Sequence, residues 1–442
     1  VSRRLANRSP LALLAALALG LLLIAPAAAS AAHSSAAFPY CSWWAKTTPE
    51  TLNVAFPDSA ATYWTTPFYA EEDVEIELEA QYPHARYMSF NVYDEADGSF
   101  ETNGVSSGLA DYEIAPDAGS VNPFQTKGEA GGSFAVTLSG AAKPGDVNTL
   151  PLAPEGEAGG ERGAPLGFIL YRVYLPTGGN ATVPLPRLTL VRNGKPVTLP
   201  RCPTPTGNPI AKLQGKRTGK AIKALLRLGK ALDRGSDGTT PCRGSECPPP
   251  LKFFRASAAA TNAFFPNVDN AYVSAIYRPP AGKVVVVRGK AATTPSGTSP
   301  VPWPEGGLQL RYWSLCNNVY RSPWPVVANA EAGGGTEYGC VADYETRLNA
   351  AGEYAFVVAR PSQRAAVQAA GGTFIPLSSS EPLARQILIF RNMLPNESFT
   401  HAVQDAPQDA EPISAAKAMG AYYPRAYRCT MAEFEASSPA CG

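Results

Sequence analysis

Val74-Glu75-Ile76-Glu77-Leu78-Glu79 alternates apolar and acidic side chains over six residues. A period of two puts Val74, Ile76 and Leu78 on one face and three glutamates on the other, which predicts a half-buried strand with its acidic face in water. Arg86 to Tyr93, Ser133 to Leu138, Gly167 to Leu175 and Arg187 to Arg192 read as further strands. The last runs into Asn193-Gly194, the strongest short hairpin signal. No segment within 38–202 carries a convincing helix longer than about two turns. Residues 253–442 return to strands, the strongest at Lys283 to Arg288, Leu308 to Leu315, Glu353 to Ala359 and Gln386 to Phe390. Short helices are expected at Ser362 to Ala370 and Ala415 to Gly420.

Between the strand-rich halves the pattern changes. Ile222, Leu225, Leu228 and Leu232 recur at helical spacing, while Lys216, Lys220, Lys223, Arg227 and Lys230 fall largely elsewhere. That predicts a basic amphipathic helix, acting as a connector or as a contact for an anionic surface. The expected organisation is therefore a signal segment over 1–29, a first β-sandwich over 38–202, a basic helical linker over 203–252, and a second β-sandwich with a C-terminal extension over 253–442. The fold class is mainly β, with two tandem β-sandwich or jelly-roll domains.

The halves read as a diverged repeat. Phe56-Pro57-Asp58 followed by Tyr63 matches Phe265-Pro266-Asn267 followed by Tyr272 at equal spacing. Arg86-Tyr87-Met88-Ser89-Phe90 matches Arg311-Tyr312-Trp313-Ser314-Leu315. Gly167 to Pro176 loosely matches Gly352 to Pro361, each a strand ending in proline. The shared order of these matches carries the inference of duplication. Two segments, Tyr171-Arg172-Val173-Tyr174-Leu175-Pro176 and the strand from Arg86 to the Tyr93-Asp94 turn, resemble a bacterial family of uncharacterised, often exported, tandem jelly-roll proteins. The resemblance covers more of the first half than of the second. It implies a fold, and phosphoanhydride hydrolysis is one activity it brings into view.

Composition supports the all-β reading. Pro at 42 and Gly at 39 among 442 residues, with only 17% charged, suit short strands and turns. Lys+Arg at 38 against Asp+Glu at 37 argues against a nucleic-acid binder. Arg3, Arg4 and Arg8, the apolar run Leu11 to Ile24, and Ala27-Ala28-Ala29 have the order of a secretory signal, with cleavage expected near Ala29 or Ala31. No transmembrane span is expected after cleavage. The eight cysteines, Cys41, Cys202, Cys242, Cys247, Cys316, Cys340, Cys429 and Cys441, all lie beyond that segment. An even count in an exported chain predicts disulfides, and sequential pairing is the simplest of the possible connectivities.

Candidate chemistry is sparse. The three histidines, His33, His84 and His401, are too few for a convergent metal site, and no serine sits in a nucleophile elbow. Asp94, Asp97 and Glu101 form an acidic turn with the hard oxygen ligands that calcium prefers, although the spacing is not that of an EF-hand. Trp303 and Trp324 sit in proline-rich loops, where exposed rings would stack on sugars. The two Arg-Tyr pairs, Arg86-Tyr87 and Arg311-Tyr312, admit two readings. If Met88 and Phe90 face a core, Arg86 is drawn inward and needs an acid partner; alternatively, the arginines hold an anionic ligand bidentately. The leading expectation is an exported, disulfide-stabilised envelope or extracellular binding protein for an anionic or carbohydrate polymer. A secreted hydrolase of phosphoanhydride or glycosidic bonds and a structural surface protein are the alternatives.

Overall fold

The computed structural model describes residues 39–127, 131–160, 163–203, 251–257 and 265–442. The expected signal segment, the expected basic linker helix and the cysteines Cys242 and Cys247 lie outside the described residues. The chain is mainly β, with 39% strand and 12% helix. The first half supplies β1 (Ala45–Thr47), β2 (Ala61–Tyr69), β3 (Val74–Gln81), β4 (Ala85–Tyr93), β5 (Glu101–Thr102), β6 (Val105–Ser106), β7 (Gly108–Ala110), β8 (Ser133–Ser139), β9 (Thr149–Pro151), β10 (Leu166–Pro176), β11 (Arg187–Arg192) and β12 (Lys195–Thr198). The second supplies β13 (Asn270–Tyr277), β14 (Val284–Lys290), β15 (Leu310–Val319), β16 (Ala328–Ala330), β17 (Thr336–Tyr338), β18 (Cys340–Ala342), β19 (Glu353–Ala359), β20 (Thr373–Pro376), β21 (Gln386–Pro395) and β22 (Arg425–Cys429).

The topology is written twice. In the first half the sheets run β1-β2-β10-β4-β7 and β12-β11-β3-β8-β9. In the second they run β13-β21-β15-β18 and β20-β19-β14-β22. Strand for strand, β2, β10, β4 and β7 match β13, β21, β15 and β18, and even the parallel pairing of β8 with β9 recurs between β19 and β20. Each pair of sheets closes on one core. Trp64, Phe90 and Tyr171 from one layer meet Ile76, Leu78 and Val136 from the other. Val273, Trp313 and Phe390 meet Val285, Phe356 and Val358 in the second unit.

Burial explains which strands alternate. β3 lays Val74, Ile76 and Leu78 inward and leaves Glu75, Glu77 and Glu79 in water. Its counterpart β14 reads Val284-Val285-Val286-Val287, all buried. There the outer face is covered by Val367, Phe374, Phe434 and the Cys429–Cys441 tail, so polar alternation disappears. β4 and β15 are buried along their whole length, because one face meets the sandwich core and the other meets the opposite half.

Two sequence-based expectations are corrected here. The strands β2 and β13 were missed, because their threonines, tyrosines and asparagine look like loop chemistry; both are nonetheless mostly buried, with tyrosines facing the other half. The match of Gly167 to Pro176 with Gly352 to Pro361 also fails. By sheet position the partner of Leu166–Pro176 is Gln386–Pro395, while Glu353–Ala359 matches Ser133–Ser139. The true match shares an arginine and a terminal Leu-Pro: Arg172 with Leu175-Pro176, and Arg391 with Leu394-Pro395.

Three disulfides tie described residues in sequential order: Cys41–Cys202, Cys316–Cys340 and Cys429–Cys441. The first joins cysteines 161 positions apart, and so fastens the start of the first unit to its end.

Within the first core, Phe68 fills the space over Gly167, where an added Cβ would stand 2.6 Å from the ring. Gly167→Ala is therefore expected to destabilise the fold by about 1–3 kcal/mol through overpacking, read as a lowered urea midpoint at unchanged m-value.

Candidate functional site

The residues singled out from the sequence converge on the seam between the two units. Arg86 and Arg311 are fully buried, and each reaches across to the opposite half. Arg86 donates from Nη1 to Asp343 at 3.0 and 3.2 Å, and from Nε and Nη2 to the Gly297 carbonyl. Arg311 donates from Nη2 to Asp111 at 3.3 and 3.4 Å and from Nε to the Arg86 carbonyl at 2.9 Å. Each aspartate also accepts a backbone N–H from its own half: Met88 at 2.9 Å for Asp111, and Trp313 at 3.4 Å for Asp343. The acid partner that burial demands for Arg86 is thus supplied by the other repeat.

The acids come from a duplicated tetrapeptide that the sequence reading overlooked. Ala110-Asp111-Tyr112-Glu113 and Ala342-Asp343-Tyr344-Glu345 are identical and begin on the last residues of β7 and β18. Both form one 3-10 turn, closed by the glutamate accepting the alanine N–H at 2.8 and 3.0 Å. A search for identical short words in the two halves would have found it.

A second pair of clusters flanks the ion pairs. Tyr312 and Ser314 donate to Asp58 Oδ2 at 3.0 and 2.7 Å, and Arg391 Nη1 lies 3.8 Å from the same atom. On the other side, Tyr87 donates to Asp269 and lies 3.2 Å from Asn267 Nδ2. The aspartate sits two positions later in the second repeat, so each cluster keeps one carboxylate. Tyr87, Tyr174, Tyr312 and Met393 pack between the halves as a small core of their own.

The units also exchange arms. Phe56 donates its N–H to the Trp324 carbonyl at 2.9 Å, and its own carbonyl accepts from Arg391 at 2.7 Å. Reciprocally, Phe265 donates to the Asp97 carbonyl at 3.1 Å, and its carbonyl accepts from Arg172. Both phenylalanines are in the left-handed region, at φ 57° and 56°. Side chains rarely adopt that conformation without tertiary contacts to hold it.

This arrangement relocates the other candidates. Trp324 is buried against Phe56 with ring centroids 6.0 Å apart. Trp303 is buried under the Arg311 guanidinium, 5.5 Å from its ring, and donates its backbone N–H to the Phe124 carbonyl of the first half. Neither ring offers the exposed face that sugar stacking requires, because both are part of the seam. Asp94 spends Oδ1 on the N–H groups of Ala96 and Gly98, and the turn it builds receives the Phe265 arm. Asp94, Asp97 and Glu101 do not gather as a ligand set; among the described residues, the group of three within ligand distance is Asp58 with Cys316 and Cys340, whose sulfurs are joined to each other. His84 is exposed, and His401 bonds the Ala418 carbonyl at 3.0 Å and stacks on Tyr422.

Burial dominates the electrostatics. It pushes the Asp111 carboxyl up to about 6, against the opposing pull of Arg311. It raises Asp343 against Arg86, and raises Asp269 to about 7 against the Tyr87 hydrogen bond. Arg311 is lowered by the same desolvation despite Asp111. Both members of the Arg311–Asp111 pair are thus driven toward neutrality, as expected where the desolvation of a buried pair exceeds its Coulombic gain. The arrangement joins two bodies; its buried carboxylates and hydroxyls face each other rather than solvent.

No family model matches the chain, and no curated protein matches it. Among solved structures, an uncharacterised protein from Burkholderia cenocepacia is 14% identical, with 97% of this chain and 91% of that chain covered and a TM-score of 0.49. A protein from Vibrio parahaemolyticus is 10% identical, with 85% and 90% covered and a TM-score of 0.41. Likeness at this level assigns no activity.

Two outcomes are expected. Arg86→Met alone strands Asp343 and should cost about 3–5 kcal/mol, whereas Arg86→Met with Asp343→Leu should recover most of that loss in denaturant melts. The pH dependence has a definite sign. Asp111, Asp269 and Asp343 bind protons more tightly folded than unfolded, where an aspartate titrates near about 3.9. The contribution of Asp111 and Asp269 is fully present below about pH 4 and is lost as pH rises through about 6 to 7, and Asp343 acts in the same direction. Thermal midpoints should therefore be higher at about pH 5 than at about pH 7.5, and Asp111→Asn should flatten that slope.

Proposed function

We propose that this chain is an exported, non-catalytic binding protein of the cell envelope or extracellular space, built from two jelly-roll units. Its ligand on this reading is an anionic or carbohydrate polymer. The observation that supports the non-catalytic part of this reading best is the use made of the duplicated chemistry. The Arg-Tyr pairs and the Ala-Asp-Tyr-Glu turns, which a hydrolase would present to substrate, are spent in both repeats on joining the repeats together. The disulfides fit an oxidising compartment.

The test is expression of the whole chain in a bacterial host, followed by fractionation, thiol trapping and N-terminal sequencing. The expected product is extracytoplasmic, begins between Ser30 and Ala32, and has no alkylatable thiol before reduction. Recovery in the cytoplasm with reactive thiols would overturn export. Turnover of pyrophosphate or of nitrophenyl glycosides by the purified chain would overturn the non-catalytic reading.

A further inference from the structure

The two repeats can be compared position by position, and at one end of the sandwich they disagree. In the first unit, Phe68 pairs with Gly167 and Ile76 pairs with Leu190, while Val92 stands on β4 between the sheets. This is an apolar plug, with the Phe68 ring occupying the room that Gly167 leaves. By the same pairings, the second unit places Tyr277 opposite Gln386, and Arg428 opposite Val285. Asn317 takes the place of Val92, since each lies opposite the matching residue of the central strand, Leu388 or Ile169. One repeat therefore closes this end with hydrophobic side chains, and the other builds it from four polar ones.

The polar set is organised and incomplete. The Tyr277 hydroxyl lies 3.0 Å from Asn317 Oδ1 and 3.2 Å from Gln386 Oε1. Asn317 Nδ2 donates to Gln386 Oε1 at 2.6 Å and to the Pro376 carbonyl at 2.8 Å. These bonds fix the Gln386 amide with its oxygen engaged and its Nε2 turned away. Tyr277, Asn317 and Gln386 are fully buried, yet Gln386 Nε2 has no partner in the protein. Arg428 shares the inward face of β22 with Ala426, is only partly exposed, and has a buried Nε that is also without a partner. Its charge is felt at the Tyr277 hydroxyl. A buried donor left unbonded carries the desolvation penalty of that group with nothing to offset it. The first unit shows that the fold closes this end without any.

We propose that this end of the second sandwich binds a small carboxylate, which takes the Gln386 Nε2 and Arg428 Nε donors on its two oxygens. The unspent groups are donors, one of them cationic, while the nearby side-chain acceptors are already engaged. That selects an anion over a cation or a neutral sugar hydroxyl. A planar two-oxygen group matches a guanidinium edge and an amide N–H better than a dianionic tetrahedral one, which needs more donors. The carboxylate comes from a free organic acid or from an acidic sugar. This assignment needs neither export nor polymer binding, so it survives the failure of the preceding reading.

Calorimetric titration of the oxidised full chain at fixed ionic strength, with acetate, glucuronate, phosphate and glucose as probes, tests it. One saturable site for acetate and glucuronate is expected for a free acid, and one for glucuronate alone is expected for an acidic sugar. Arg428→Leu, which installs the first repeat's residue, and Gln386→Glu, which turns the donor into an acceptor, should each weaken binding by about tenfold or more. Should Arg428→Leu fail to fold, Gln386→Glu and carbon-13 formate line broadening on the unaltered chain carry the test. Absence of saturation by either carboxylate, binding of phosphate alone, or affinities unchanged in the soluble variants would each overturn the proposal.

Discussion

The structure depends on a reciprocal exchange of charge. Each repeat owns an arginine whose acid lies in the other repeat, and an aspartate whose arginine lies there too. A guanidinium buried in a low-dielectric interior needs acceptors for its charge, and Arg86 and Arg311 each find a carboxylate only across the seam. Neither unit therefore satisfies its own seam, and the two together do. This constraint accounts for the whole interface: the Ala-Asp-Tyr-Glu turns hold the acids, the arms bearing Phe56 and Phe265 cross over, and the tyrosines fill what remains. Specificity of docking follows from the same cost, because any other apposition would leave charges buried and unpaired.

Duplication followed by divergence then makes each repeat a control for the other. Where both keep a feature, the seam requires it, as with the left-handed Phe56 and Phe265, or Leu175 and Leu394 at φ 50° and 45°. Where they differ, local surroundings explain the change. The glutamates of β3 face water, while β14 is roofed by the C-terminal tail. Cys316–Cys340 bridges β15 and β18 at the register where the first repeat has Asn91 opposite Gly108. The polar end of the second sandwich is the difference that no such covering explains.

Much of this was legible in the residues. Period-two alternation, turn residues and the Phe-Pro and Arg-Tyr words were enough for two β units and their duplication. The inward pull on Arg86 followed from Met88 and Phe90 sharing its face. The strands β2 and β13 escaped because a strand buried on both sides, one of them polar, loses its alternation. The Trp303 and Trp324 rings were misplaced for a related reason: loop composition reports solvent exposure only where no second body covers the loop.

What the sequence determined by itself was local: strand periodicity, turn chemistry, cysteine number, and the need of a buried arginine for an acid. Which acid, from which half, was decided only in three dimensions. Arg86 and Asp343 are 257 positions apart, and Arg311 and Asp111 are 200 apart, so neither pairing leaves a trace in any short window. The same holds for the Tyr277, Asn317, Gln386 and Arg428 set, drawn from four strands of two sheets. Each is an ordinary polar residue in the chain. Only the closing of two layers brings them to one end of one core, where their unspent donors acquire meaning.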